Sequence, residues 1–373
     1  MNEKRLLPGF CDLGCAFGEP GSEQAETIKS GLRAAARGGY SLVALEPFTD
    51  PPIDNDAQVQ LVLTRAHGSA CKLLPVAAAA REKGTLSEMT LLKEAGAVGV
   101  SLGDALPCNV AFLRSVLEYA TQSGLAVFVH PSEPTLSAEG MVHEGEVAER
   151  LGLRGIPEDS EEIGLGILLP LVRRTGARVH LSRLSTLQGV RMLRQARSQG
   201  LAVTADVGFR HLLRDERAIE SFDVDMKVFP PLRGEEDRMS LWEGLMDGTI
   251  DAISSMHRPV SSETKCAEFA ASPYGAIGLE TCFGALWTEN GKNGNPTVAM
   301  AHYAQWLSIG PRAVLGLPPA NADHEGTWWD FGSCWTPSDT TLASRSRNCP
   351  EIGQSLIPVP VALRRDGHDA PLP

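Results

Sequence analysis

The chain has 373 residues, 43% of them hydrophobic and 21% charged, a balance that suits a soluble globular protein with a large core in one big domain plus appendages or in two ordinary ones. A formal net charge of −12 with no long basic run argues against a sequence-independent nucleic-acid or membrane-surface binder. No stretch of about 18 apolar residues predicts a transmembrane helix, and Met1–Leu7 is too short and too charged for a secretory signal.

Eight apolar runs rich in Val, Leu and Ala read as strands: 11–17, 41–46, 72–77, 97–101, 126–130, 178–182, 201–206 and 250–255. They are continuous rather than alternating, as strands covered on both faces are. Between them, 23–37, 109–121, 160–174, 187–199 and 235–246 carry helical spacing, the first stopping at Gly38-Gly39. The alternation predicts an α/β protein built as a (β/α)8 barrel over residues 8–316, with a doubly wound sheet as the competing layout. No Gly-x-Gly-x-x-Gly follows a strand, so the dinucleotide-binding form of that competitor lacks support. After Leu317 the breaker pair Pro318-Pro319 opens a Gly- and Trp-rich tail, 317–373, expected to form a small β-rich appendage with strands around Leu356–Leu363.

The eight cysteines are scattered without a Cys-x-x-Cys pair, so no zinc ribbon or redox motif is expected. Reduced thiols and a cytoplasmic location are the corresponding expectation.

In such barrels the working residues stand where strands end. Those positions hold Gly14, Ala16, Phe48, Leu102 to Asp104, His130, Arg183, Arg210-His211 and Met256-His257.

The phrases Leu7-Pro8-Gly9-Phe10, Glu19-Pro20-Gly21, Glu144-Gly145-Glu146, Gly155-Ile156-Pro157 and Pro230-Pro231-Leu232-Arg233 occur in that order. They are followed by Asp247 to Ile253, Gly278-Leu279-Glu280-Thr281 and Ser344-Arg345-Ser346-Arg347-Asn348-Cys349-Pro350. Together they resemble the dihydroorotase family, of the bacterial long-chain type, within the amidohydrolase superfamily. The resemblance runs from about Leu7 to Gly367. It implies a metal-dependent hydrolase barrel in which zinc is held by a His-x-His pair, a bridging carboxylate, two further histidines and an aspartate.

Residue by residue, that ligand set is depleted. The His-x-His pair falls on Gly14 and Ala16, and the acidic pair after the fourth strand near Leu102-Gly103, with Asp104 displaced beside it. The first single histidine is kept as His130. The second falls on Arg183, and the aspartate that is also the family's general base falls on Met256. Substrate-contact positions fall on Gly18, Phe48, Phe229 and Val260. A site rebuilt from His130, His180, His211 and His257 is disfavoured: His180 reads as a core histidine bonded to backbone, and Cys15 points to the helices. Arg183 is expected to pair with Asp104 or Asp206, or else to form a vestigial anion site with His130, His211 and His257. Met256 and Phe229 are expected to fill the vacated volume.

The expectation is therefore a catalytically inactive dihydroorotase homologue with no catalytic residue and no metal or other cofactor. By resemblance it would be a hetero-oligomeric assembly partner of the aspartate transcarbamoylase catalytic subunit in pyrimidine synthesis, with no nucleic-acid or membrane partner. The alternative is an active dihydroorotase-type cyclic amidohydrolase with zinc in an unconventional site. The resemblance also leads one to expect a β-rich segment ahead of Leu-Pro-Gly-Phe; tail strands left without it would favour an obligate complex.

Overall fold

A computed structural model describes residues 3–81, 84–292 and 298–373. All eight predicted strands form: β1 Phe10–Cys15, β2 Tyr40–Leu45, β3 Lys72–Ala78, β4 Gly99–Ser101, β5 Ala126–Val129, β6 Val179–Leu181, β7 Val203–Gly208 and β8 Ala252–Ser254. They pair in parallel in sequential order from β1 to β8. Closure between β1 and β8 is made just past the strand ends, where Ala16 N donates to His257 O at 2.8 Å and Ser255 N donates to Asp12 Oδ1 at 2.7 Å. The barrel, not the open sheet, is the fold.

Strand alternation decides what lies inside. Val127, Val129, Val179 and Leu181 face the helical shell, while Leu13, Ala44, Val76, Phe128 and Ala252 form an apolar layer inside the barrel. Cys15 lies on the helix side, its thiol near Ala44 O, as expected.

Three helices match their predicted spans closely: Val110–Ser123, Asp159–Thr175 and Leu187–Ser198; Glu235–Met246 matches fully. The first helix begins later than expected, at Ile28, because Thr27 caps it through Ser30 N and Glu19 Oε2 takes the Ile28 N–H. Asp56–Ala66, capped by Asn55, was not predicted; Gln and Thr interrupt its apolar periodicity.

The small sheet is antiparallel, in the order Lys4–Pro8, Glu325–Asp330, Val359–Arg365, His368–Ala370. The tail strand thus lies slightly later than Leu356–Leu363, and a strand from the start of the chain joins it. Trp329, buried against Phe10 and Phe283 with ring centroids 5.7 and 4.7 Å away, seats this sheet on the barrel. The tail is also held by Arg210, which donates to both Glu351 oxygens at 2.9 and 2.6 Å in a buried pair. Among the described residues no helix is long and apolar enough to cross a membrane.

Candidate active site at the barrel mouth

The C-terminal strand ends converge on a mouth lined in part by Gly14, Glu46, Arg183, Phe229, Met256 and Arg258. Its centre is a charge cluster. Arg183 Nη2 donates to Asp104 Oδ1 at 2.7 Å and lies 3.7 Å from Glu46 Oε1, and Arg258 Nη1 donates to Asp104 Oδ2 at 2.7 Å. Burial opposes the Asp104 charge, but the two guanidiniums outweigh it and hold its carboxyl well below the usual range. Burial pushes the Glu46 carboxyl up, with Arg183 opposing. Two cations face two carboxylates, so the expected Arg183–Asp104 pair forms and Arg183 offers no uncompensated charge.

Asp206 bonds Arg183 through its main chain: Arg183 N donates to Asp206 Oδ1 at 3.1 Å. The same carboxylate takes Ser254 Oγ at 2.7 Å and His180 Nε2 at 2.8 Å, and His180 Nδ1 meets Thr204 Oγ1 at 2.9 Å. His180 is therefore a core histidine as expected, but held by side chains rather than backbone. A continuous polar chain runs inside the barrel from Thr204 to the mouth.

Arg183 and Met256 both have left-handed backbones, with φ of 59° and 49°. This conformation is unfavourable for side chains of their size. A strained strand-end frame persists although the side chains on it are a guanidinium and a thioether.

The remaining candidates are brought near the mouth but are engaged individually. His130 Nδ1 pairs with Ser182 O at 3.0 Å, its ring packs edge-on to Phe229, and burial and then the Arg183 charge depress its pKa to about 3. His211 Nε2 pairs with Pro230 O at 3.0 Å, and burial lowers its pKa to about 4. His257 Nδ1 accepts Gly278 N, and its Nε2 lies 3.7 Å from Glu26 Oε2. Met256 packs with Val228, Leu232 and Ala276. The cavity left among these residues is about 10 Å³, room for about one water.

The mouth does not fit the family's zinc centre. Gly14 and Ala16 offer no ligand atom, although a Cβ at Gly14 would make only ordinary contacts, 3.7 Å from Ser254 and 3.9 Å from Glu46. Arg183 is a permanent cation just past the end of β6, where the resemblance implies a histidine.

The expectation that the chain has no metal site is nevertheless corrected. His143, Glu158 and Asp237 place ligand atoms within 4.8 Å of one another, the sole such group of three or more among the described residues. Burial and the Arg233 charge lower the His143 pKa to about 4, leaving the ring neutral as a ligand must be. Burial, then the Asp237 charge, raises the Glu158 carboxyl to about 7. Arg233 Nη1 donates to His143 Nδ1 at 3.2 Å, which puts the ring proton on Nε2. An ion at Nε2 requires Arg233 to release that bond and keep its 2.6 Å bond to Ile156 O. These three residues, and Glu46 and Arg258, escaped sequence reading. Glu46 and Arg258 stand beside strand ends, where the barrel rule flags them; the trio comes from the short strand Val142–His143, the residue before the helix Asp159–Thr175 and the first turn of Glu235–Met246, with no shared motif.

The fold is a (β/α)8 barrel with its candidate site at the C-terminal strand ends. The L-hydantoinase of Arthrobacter aurescens superposes with a TM-score of 0.84 over 98% of this chain and 87% of its own, at 20% identity, a likeness of fold. Residues 3–188 match the family described as dihydro-orotase-like. Dihydroorotase of Pelotomaculum thermopropionicum is 38% identical over 366 residues, 96% of this chain and 85% of its own length. That of Caldanaerobacter subterraneus is 38% identical over 362 residues, 95% and 83% respectively. The chain belongs to the dihydroorotase family. The names of these two relatives speak for the dihydroorotase alternative, and neither names a non-catalytic subunit.

Proposed function

We propose that the barrel mouth of this chain does not hydrolyse cyclic amides and that the protein acts through its surface, as a structural partner of the aspartate transcarbamoylase catalytic subunit. The observation that carries this reading is the Arg183–Asp104–Arg258–Glu46 cluster filling the mouth. Hydrolysis of the family type requires ligands that fix an ion, which lowers the pKa of a bound water and polarises the amide carbonyl. Gly14, Ala16, Arg183 and Met256 supply neither ligand nor base, and the cavity beside them, about 10 Å³, is far below the size of small-molecule sites. The retained barrel and the tied-down tail support a role for the shape rather than the chemistry. Co-purification with the transcarbamoylase subunit and assembly of that enzyme with and without this chain test the partner half; unchanged assembly contradicts it.

A second reading is an active cyclic amidohydrolase that interconverts dihydroorotate and N-carbamoyl-aspartate. Two observations favour it: extended identity to proteins named dihydroorotase, and the His143–Glu158–Asp237 group. Zinc content measured together with turnover separates the two readings.

A further inference from the structure

At the end of the barrel opposite the mouth, the starts of β2 and β3 face the small sheet across a cleft of about 700 Å³. That volume lies within the range of small-molecule sites. We propose that this cleft binds a small organic phosphate, its phosphate on the basic rim and its body on the apolar wall.

The charge balance points this way. Four Lys or Arg side chains line the cleft, Lys72, Arg312, Arg364 and Arg365, against two carboxylates, Glu325 and Asp366. The local excess is positive on a chain whose net charge is −12. Arg312 is paired with Glu325 and Arg364 with Asp369, whereas Lys72 and Arg365 have no ion-pair partner among the described residues. The rings of His67 and His324 stand on the same rim.

Arg312, only 5% exposed, belongs to this wall with its Nη2 bonded to Ser41 and Glu325. Guanidinium forks match phosphate geometry, and lysine adds a point charge. Leu42, Leu63, Leu73 and Leu363 line the same space and can cover an apolar or aromatic body.

The test is calorimetric titration and thermal unfolding of the full chain with inorganic pyrophosphate, ADP and phosphatidylserine vesicles. Wild type is compared with Lys72→Glu/Arg365→Glu, two exposed positions, and with a charge-matched control, Arg114→Glu/Arg150→Glu, outside the cleft. The expected result is saturable binding of pyrophosphate, tighter binding of ADP, at least about tenfold loss in the cleft variant and little change in the control. Three outcomes overturn the proposal: no saturable binding of either soluble probe up to about 10 mM, equal binding by the cleft variant, or binding to vesicles that ADP does not compete away.

Discussion

Arg183 and Asp104 meet across the barrel mouth at 2.7 Å, and Arg258 holds the other oxygen of the same carboxylate at the same distance. With Glu46 3.7 Å from Arg183, two guanidiniums face two carboxylates. Breaking a buried pair by removing one partner costs more than the pair contributes, because the survivor keeps its desolvation penalty. Arg183→Ala, which strands Glu46 and half of the Asp104 contacts, is expected to destabilise the fold by about 3 kcal/mol in urea unfolding. A loss below about 1 kcal/mol would mean that the cluster is solvated and that the mouth is open.

Acid should unfold this protein through its neutral histidines. His130 and His211 have pKa values lowered from 6.5 to about 3 and about 4. The unfolded chain therefore takes up protons first, and the stability these rings contribute is complete above pH 6.5 and declines as pH falls towards 3 to 4. Each withdraws about 1.4 kcal/mol per pH unit below 6.5. Urea midpoints from pH 7.5 to 5 check this, and His211→Gln should flatten the slope.

The interior chain fixes a tautomer. With Asp206 accepting from Nε2, the Nε2–H tautomer leaves Nδ1 to accept the Thr204 hydroxyl. Nitrogen NMR is expected to show the Nε2–H form, and Thr204→Val should cost about 1 kcal/mol. The Nδ1–H form would contradict the assignment.

If zinc is taken up, the account places it at His143, Glu158 and Asp237 rather than at Gly14 and Ala16. Zinc affinity measured by equilibrium dialysis should then fall at least about tenfold in His143→Ala and stay unchanged in Met256→Leu. The reverse pattern would return the ion to the mouth.

The barrel was legible because strands buried on both faces must be apolar throughout, and eight such runs stood in the right rhythm. The placing of Gly14, Ala16, Arg183 and Met256 at or just past strand ends was legible too, since it follows from motif and register alone. What fills the gap was less so. Asp104 was named as a partner for Arg183, but Glu46 and Arg258 were not, because pairing depends on side-chain reach across strands remote in sequence. Lys4–Pro8 carries too much charge to read as a strand by itself; its partner Glu325–Asp330 makes it one. His143, Glu158 and Asp237 meet only after folding, which is why an expectation of no metal site could arise.

The most direct measurement is turnover of dihydroorotate and of N-carbamoyl-aspartate by the full chain, purified with and without added zinc, beside an active dihydroorotase. The account predicts no ring opening or closure above the no-enzyme rate in either preparation. Saturable turnover of either compound in either preparation would contradict it.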